Sequence, residues 1–138
     1  MEPNFERLKK EFIVDQEEHS KQQLTSLMSL LLPLCKVTKD GQVVITEKIP
    51  TRKILKLILS ARFIAHVADK SIQMGLSREE LKAYSSMRDN VFTTRLNELL
   101  RENFADERDD EKIYAKNILL IEQFLKTMKN GNGGNVTK

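Results

Sequence analysis

Arg88, Asn90, Thr93, Thr94 and Asn97 stand close together in the stretch Ser77 to Asn103, SREELKAYSSMRDNVFTTRLNELLREN. Their side chains share one chemistry. An arginine fork can meet both acceptors of a guanine edge, asparagine can meet the donor and acceptor of adenine, and a threonine methyl fits against thymine. A helical pattern beginning near Asp89 puts Phe92, Leu96, Leu99 and Leu100 on one side and Asn90, Thr93, Thr94, Asn97 and Arg101 on others. Arg78, Lys82, Arg95 and Arg101 flank them as charges suited to phosphates, which position a duplex without specifying its sequence. Threonines are poor formers of a surface helix, so Thr93 and Thr94 point to binding rather than to folding.

Catalytic chemistry has no comparable set. The chain shows no nucleophile–base pair, no metal-ligand spacing and no phosphate loop, so we expect no enzyme, no cofactor and no metal. His66 has no second histidine or thiol at ligand spacing and reads as a surface or interface residue, and His19 as a solvated one. Asp109, Asp110 and Glu111 read as solvated acids at a hairpin tip rather than as a cation site. The GNGG of the C-terminal stretch lacks the preceding strand and following helix of a phosphate loop.

The elements that position the candidate residues follow from periodicity. Ser77 with Glu80 three residues on is a capping box that opens a short helix to Tyr84. Ser85-Ser86-Met87-Arg88 makes the turn, with Met87 placed to plug the core, and Asn103 is a helix stop. Upstream, Pro50-Thr51 opens the longest helix, predicted to reach Met74 and to stop at Gly75. Its inner face is Ile54, Leu57, Ile58, Ala61, Ile64, Ala65, Ala68 and Ile72, with Arg62, His66, Asp69 and Lys70 on a polar strip. A second stripe, Leu55, Leu59, Phe63 and Val67, needs its own cover, either from the terminal helices or from a second copy. With Phe124 and Met128 it forms the expected dimer interface.

Downstream, Phe104 to Glu107 and Lys112 to Ala115 are strand-capable pieces around the tip Arg108 to Glu111. Asn117 can cap a last helix, Ile118 to about Lys129, and residues 130–138 are expected as a disordered tail. Residues 1–50 form an appendage. One helix is predicted from Pro3 to about Leu32, with apolar stripes Phe5, Leu8, Phe12, Ile13 and Leu24, Leu27, Met28, Leu31 around a polar middle. That helix either docks on its own domain or serves as a dimerising arm. An Asp40-Gly41 turn between Cys35–Thr38 and Val43–Thr46 then predicts a β-hairpin.

Composition bounds the rest. A chain of 138 residues, 40% hydrophobic and 31% charged, holds one domain with an appendage and reads as soluble and helix-rich. The single cysteine, Cys35, cannot form an internal disulfide, no signal pattern opens the chain, and no apolar run spans a membrane. We expect a cytoplasmic, nucleoid-associated protein. The net charge is +3, with ten Lys and Arg against six Asp and Glu between Thr51 and Ala105. The positive excess sits on the segment carrying the candidate residues.

The order long helix, two short helices, two-stranded wing and closing helix resembles the winged helix-turn-helix superfamily of many archaeal and bacterial transcription regulators. The resemblance covers residues 51–129, with Leu81, Met87, Phe92, Leu96 and Leu99 at core positions and Arg88 to Asn97 as recognition helix. It implies a mainly α fold with small β (α+β), double-stranded DNA as partner, and a homodimer reading the major groove with the helix near 89–102. Two positions depart from the family pattern: Ser86 stands where glycine is usual, and the tip Asp106 to Lys112 carries five acids against two bases. Phosphates would repel such a tip. The alternative is therefore a protein-interaction adaptor whose acidic wing meets a basic partner.

Overall fold

The computed structural model describes the backbone of residues 3–12 and 16–136, and side chains over residues 5–9 and 21–128. It is an α+β fold. The elements are α1 Pro3–Phe12, α2 Gln16–Leu31, β1 Cys35–Val37, β2 Val43–Ile45, α3 Thr51–Ala68, β3 Leu76–Ser77, α4 Arg78–Ser85, α5 Asp89–Arg101, β4 Ala105–Glu107, β5 Lys112–Ala115 and α6 Ile118–Val136. β1 and β2 form an antiparallel pair, and β3-β5-β4 a three-stranded antiparallel sheet.

α3 is the axis of the core. Leu55, Leu57, Ile58, Leu59, Ser60, Ala61, Arg62 and Ile64 are all buried on it, so the helix is covered on every side. α2, α4, α5, α6 and strands β1, β2 and β5 pack around it. This corrects the expected dimer interface: Leu55 and Leu59 are 1% exposed and Met128 2%, buried inside the protomer and with no area left for a second copy. Phe63, Val67 and Phe124 are half-buried.

Arg62 does not lie on a polar strip. It is 3% exposed, and its guanidinium donates through Nε to Gln73 O (2.7 Å), through Nη1 to Gly41 O (2.7 Å) and through Nη2 to Gly75 O (3.1 Å). A buried charge is tolerated only when its donors are satisfied, and here three backbone carbonyls satisfy them. The side chain thereby ties the β1–β2 turn and the segment after α3 to the core helix.

α3 ends at Ala68 rather than near Met74. Asp69 accepts from Ser71 N–H and hydroxyl at 3.0 and 2.7 Å, a local turn that competes with further helix. His66 Nδ1 lies 2.6 Å from Ile72 O; a carbonyl only accepts, so Nδ1 carries the proton. The freed residues Leu76–Ser77 become β3, with Leu76 opposite Ile113. The periodic pattern did not reveal this strand, because two residues are too few to show a period.

Other expectations hold locally. Register pairs Cys35 with Ile45 and Val37 with Val43, as the hairpin pattern predicts. Its turn is three residues rather than two: Gly41 N–H donates to Thr38 O, Thr38 N–H to Gln42 O, and Gly41 takes φ +94°. The Ser77–Glu80 capping box is complete. Asn103 (φ 65°) ends α5, with its N–H on Leu100 O and that of Phe104 on Leu99 O, the Schellman pattern. Pro3–Phe12 and Gln16–Leu31 are helical within the single helix expected from Pro3 to about Leu32; Ile13 of its first apolar stripe, with residues 14 and 15, lies outside the described residues. α6 runs on through residues 130–136, expected as tail, and we have no physical account of the extension; residues 137–138 lie outside the described residues.

Two substitutions test these anchors. Arg62→Leu leaves the buried Gly41 and Gly75 carbonyls and the part-buried Gln73 carbonyl without donors and is expected to cost roughly 3–5 kcal/mol, measured by urea unfolding. A loss below about 1 kcal/mol would show that water replaces the guanidinium. Ser86 closes α4 in the left-handed region (φ 58°) and is exposed, so Ser86→Gly is expected to stabilise by about 0.5–1 kcal/mol in the same assay.

Candidate nucleic-acid interface

α5 buries Phe92, Leu96 and Leu99 and turns its other side to solvent. Arg88, Asn90, Thr93, Thr94 and Asn97 are all exposed; the last four lie along one side of the helix at i, i+3, i+4, i+7 spacing, and Arg88 precedes them at the N-cap. Arg88 is the N-cap in extended conformation, and its side chain makes no cap bond. The two threonine hydroxyls are committed: Thr93 Oγ1 donates to Asp89 O (2.9 Å) and Thr94 Oγ1 to Asn90 O (3.0 Å). With χ1 held by that bond, each threonine presents a fixed methyl to solvent. Asn90 Oδ1 accepts from Val91 N–H at 2.9 Å, leaving its amide NH₂ outward.

The expected phosphate contacts are arranged differently. Arg78 is forked onto Glu107 of β4, Nε to Oε2 at 3.0 Å and Nη2 to Oε1 at 2.8 Å. Lys82 pairs with Asp89 across the α4–α5 turn, and Arg95 with Glu98 at 2.8 Å. Among the described residues only Arg101 of the four has no acidic partner within salt-bridge distance. Sequence spacing could not show this, since Glu107 is remote from Arg78 in the chain.

A basic surface that the sequence reading missed lies beside this face. Arg52, Lys53 and Lys56 of α3 and Arg95 and Arg101 of α5 line a cleft of about 510 Å³, with Glu98 and Glu102 as its acids. Lys56 Nζ bridges to Glu102 at 2.6 Å and stands 5.5 Å from the Phe104 ring centre, which rests edge-on against Phe124. Arg95 Nε is buried without a partner among the described residues. A signal was available: α3 has no acid in its first turn but carries Arg52 and Lys53 there, although cations are disfavoured at a helix N-terminus.

The β4–β5 tip spends much of its acidity internally. Tyr114 OH donates to the Asp110 carboxylate, Lys112 N–H donates to Asp110 Oδ1 at 3.0 Å, and the Arg108 guanidinium lies 4.0 Å from the Tyr114 ring centre. The Tyr114 bond lowers the Asp110 pKa and raises that of Tyr114. No group of three potential metal ligands occurs among the described residues. No described helix is long and apolar enough to cross a membrane. No family model, characterised protein or solved structure matches the chain.

The hydrogen bonds from Arg78 hold the Glu107 carboxyl below the usual glutamate range. A lowered folded-state pKa means that the contribution is complete above the usual range and is lost as pH falls through the depressed value. NMR titration of side-chain carboxyls should place Glu107 below that range, and Arg78→Ala should return it there. The same midpoint in both proteins would show that the fork does not persist in solution. Stability should change by less than about 1 kcal/mol, because the pair faces solvent.

Proposed function

We propose that the chain is a sequence-specific double-stranded DNA-binding protein, a transcription regulator of the winged helix-turn-helix type in which α5 enters the major groove. The observation that carries this reading is the exposed, hydrogen-bond-capable strip Arg88, Asn90, Thr93, Thr94 and Asn97 on a helix anchored by its opposite apolar face. Arg88 and Asn90 read base edges, and the fixed threonine methyls meet thymine. Arg101 with Arg52 and Lys53 supports the phosphate backbone beside them, replacing the paired Arg78 and Lys82 of the sequence-based expectation. The acidic β4–β5 tip stays away from the duplex. One helix offers few contacts, so the active species carries two copies of it on successive half-sites. On this reading the protein works on the nucleoid, in the cytoplasm.

One observation favours the alternative, a protein-interaction adaptor: Arg78, Lys82 and Arg95 are each neutralised by a nearby acid. Selection from random duplexes at two salt concentrations separates the two. A DNA reader enriches a motif and loses affinity steeply with salt, whereas an adaptor enriches nothing. On the selected duplex, Arg88→Ala with Asn90→Ala should weaken binding at least about 100-fold by fluorescence anisotropy, with an unchanged circular dichroism spectrum. Unchanged affinity would refute base reading by α5.

A further inference from the structure

Five bases line the cleft between α3 and α5, and its two acids answer only two of them. Lys56 bridges to Glu102 and Arg95 to Glu98, which leaves Arg52, Lys53 and Arg101 with no acidic partner within salt-bridge distance among the described residues. Like charges gathered in one recess repel one another, and the packing of α5 on α3 keeps them together. Arg52 and Lys53 also stand in the first turn of α3, where the helix dipole favours acids and no acid is present. Arg95 is unsettled as well. Among the described residues its guanidinium donates one bond, from Nη1 to Glu98, and its Nε is buried without an acceptor. An anion in the cleft offsets all of these costs together.

We propose that the α3–α5 cleft binds a small molecule through a diphosphate or triphosphate group. The charge count selects the group. A phosphate monoester brings at most about −2 and leaves one of the three unpaired cations unanswered, whereas a chain of two or three phosphates can meet them all. Two of the three are arginines, whose forked donors match phosphate oxygens in pairs. The cleft volume of about 510 Å³ lies within the roughly 300–1,000 Å³ of small-molecule sites. Arg95, Glu98 and Glu102 follow one another at i, i+3, i+7 on a different flank of α5 from Asn90, Thr93, Thr94 and Asn97, so the cleft is a recess beside the exposed strip and not part of it. On the DNA reading Arg52, Lys53 and Arg101 also support the duplex, so ligand and duplex compete for them; the competition rests on that reading, and the site itself does not.

Isothermal titration calorimetry on the full chain at physiological salt tests it, with inorganic triphosphate, inorganic phosphate and a duplex of random sequence titrated separately. Triphosphate should bind at one site per chain, at least about 10-fold more tightly than phosphate. Arg52→Gln with Arg101→Gln, both at exposed positions, should weaken triphosphate at least about 10-fold with an unchanged circular dichroism spectrum. Lys39→Gln, which removes an exposed cation from the β1–β2 turn, should leave its affinity unchanged. Triphosphate that does not bind, or binds no better than phosphate, overturns the proposal; a cleft variant that still weakens the duplex then assigns these cations to the DNA backbone alone. An equal loss in Lys39→Gln overturns it too, because affinity would follow net charge and not the cleft. Triphosphate binding of the expected pattern without any duplex binding supports this site and counts against the DNA reading instead.

Discussion

The Arg62 guanidinium holds together parts of the chain that no helix or sheet joins. Its three bonds reach the β1–β2 turn at Gly41 and the segment after α3 at Gln73 and Gly75. Gly75 in turn lies flat on Tyr114, where an added Cβ would stand 2.5 Å from the ring. Tyr114 then orders the β4–β5 tip through Asp110 and Arg108. One buried side chain therefore sets both the appended hairpin and, through a glycine and an aromatic ring, the sheet beside α4 and α5. Arginine suits this because its rigid fork addresses three acceptors in separate directions, which a lysine ammonium on a flexible stem does less well.

Local chemistry in the sequence was legible, and tertiary chemistry was not. The capping box at Ser77, the turn at Gly41 and the stop at Asn103 depend on residues a few positions apart, so their types sufficed. The end of α3, the burial of Arg62 and strand β3 depend on partners far away in the chain. The candidate strip on α5 could be placed because helical spacing alone exposes it. The pairing of Arg78 with Glu107 could not, and neither could the cleft that brings Arg52, Lys53 and Lys56 beside Arg101. The second apolar stripe of α3 was seen correctly as needing cover. Most of that cover comes from the chain itself, as the burial of Leu55, Leu59 and Met128 shows.

The charge pattern separates two surfaces with different tasks. The Arg78–Glu107 and Lys82–Asp89 bridges fix the approach of the β4–β5 hairpin and of α5 to α4, while the hairpin tip keeps its excess of five acids against two bases. The α3–α5 cleft keeps five bases against two acids, so its field survives beside the exposed strip of α5. Both arrangements follow from the same packing of α5 on α3, which buries Phe92, Leu96 and Leu99.

The two hairpin tips share one backbone design with different residues in its hardest position. In the first, Gly41 takes the left-handed conformation; in the second, Glu111 takes it at φ 63°, with Glu111 N–H on Arg108 O and Arg108 N–H on Lys112 O. Glycine enters that region freely, and a β-carbon makes it unfavourable by about 1 kcal/mol. The second tip thus carries a backbone cost that the first avoids, and it lacks the bond that Gly41 O receives from buried Arg62. Under a protease it would be the earlier of the two to admit the enzyme's cleft, and a nick there would cut the link between β4 and β5 while their ladder and the buried Ala105, Ile113 and Ala115 kept both strands in place.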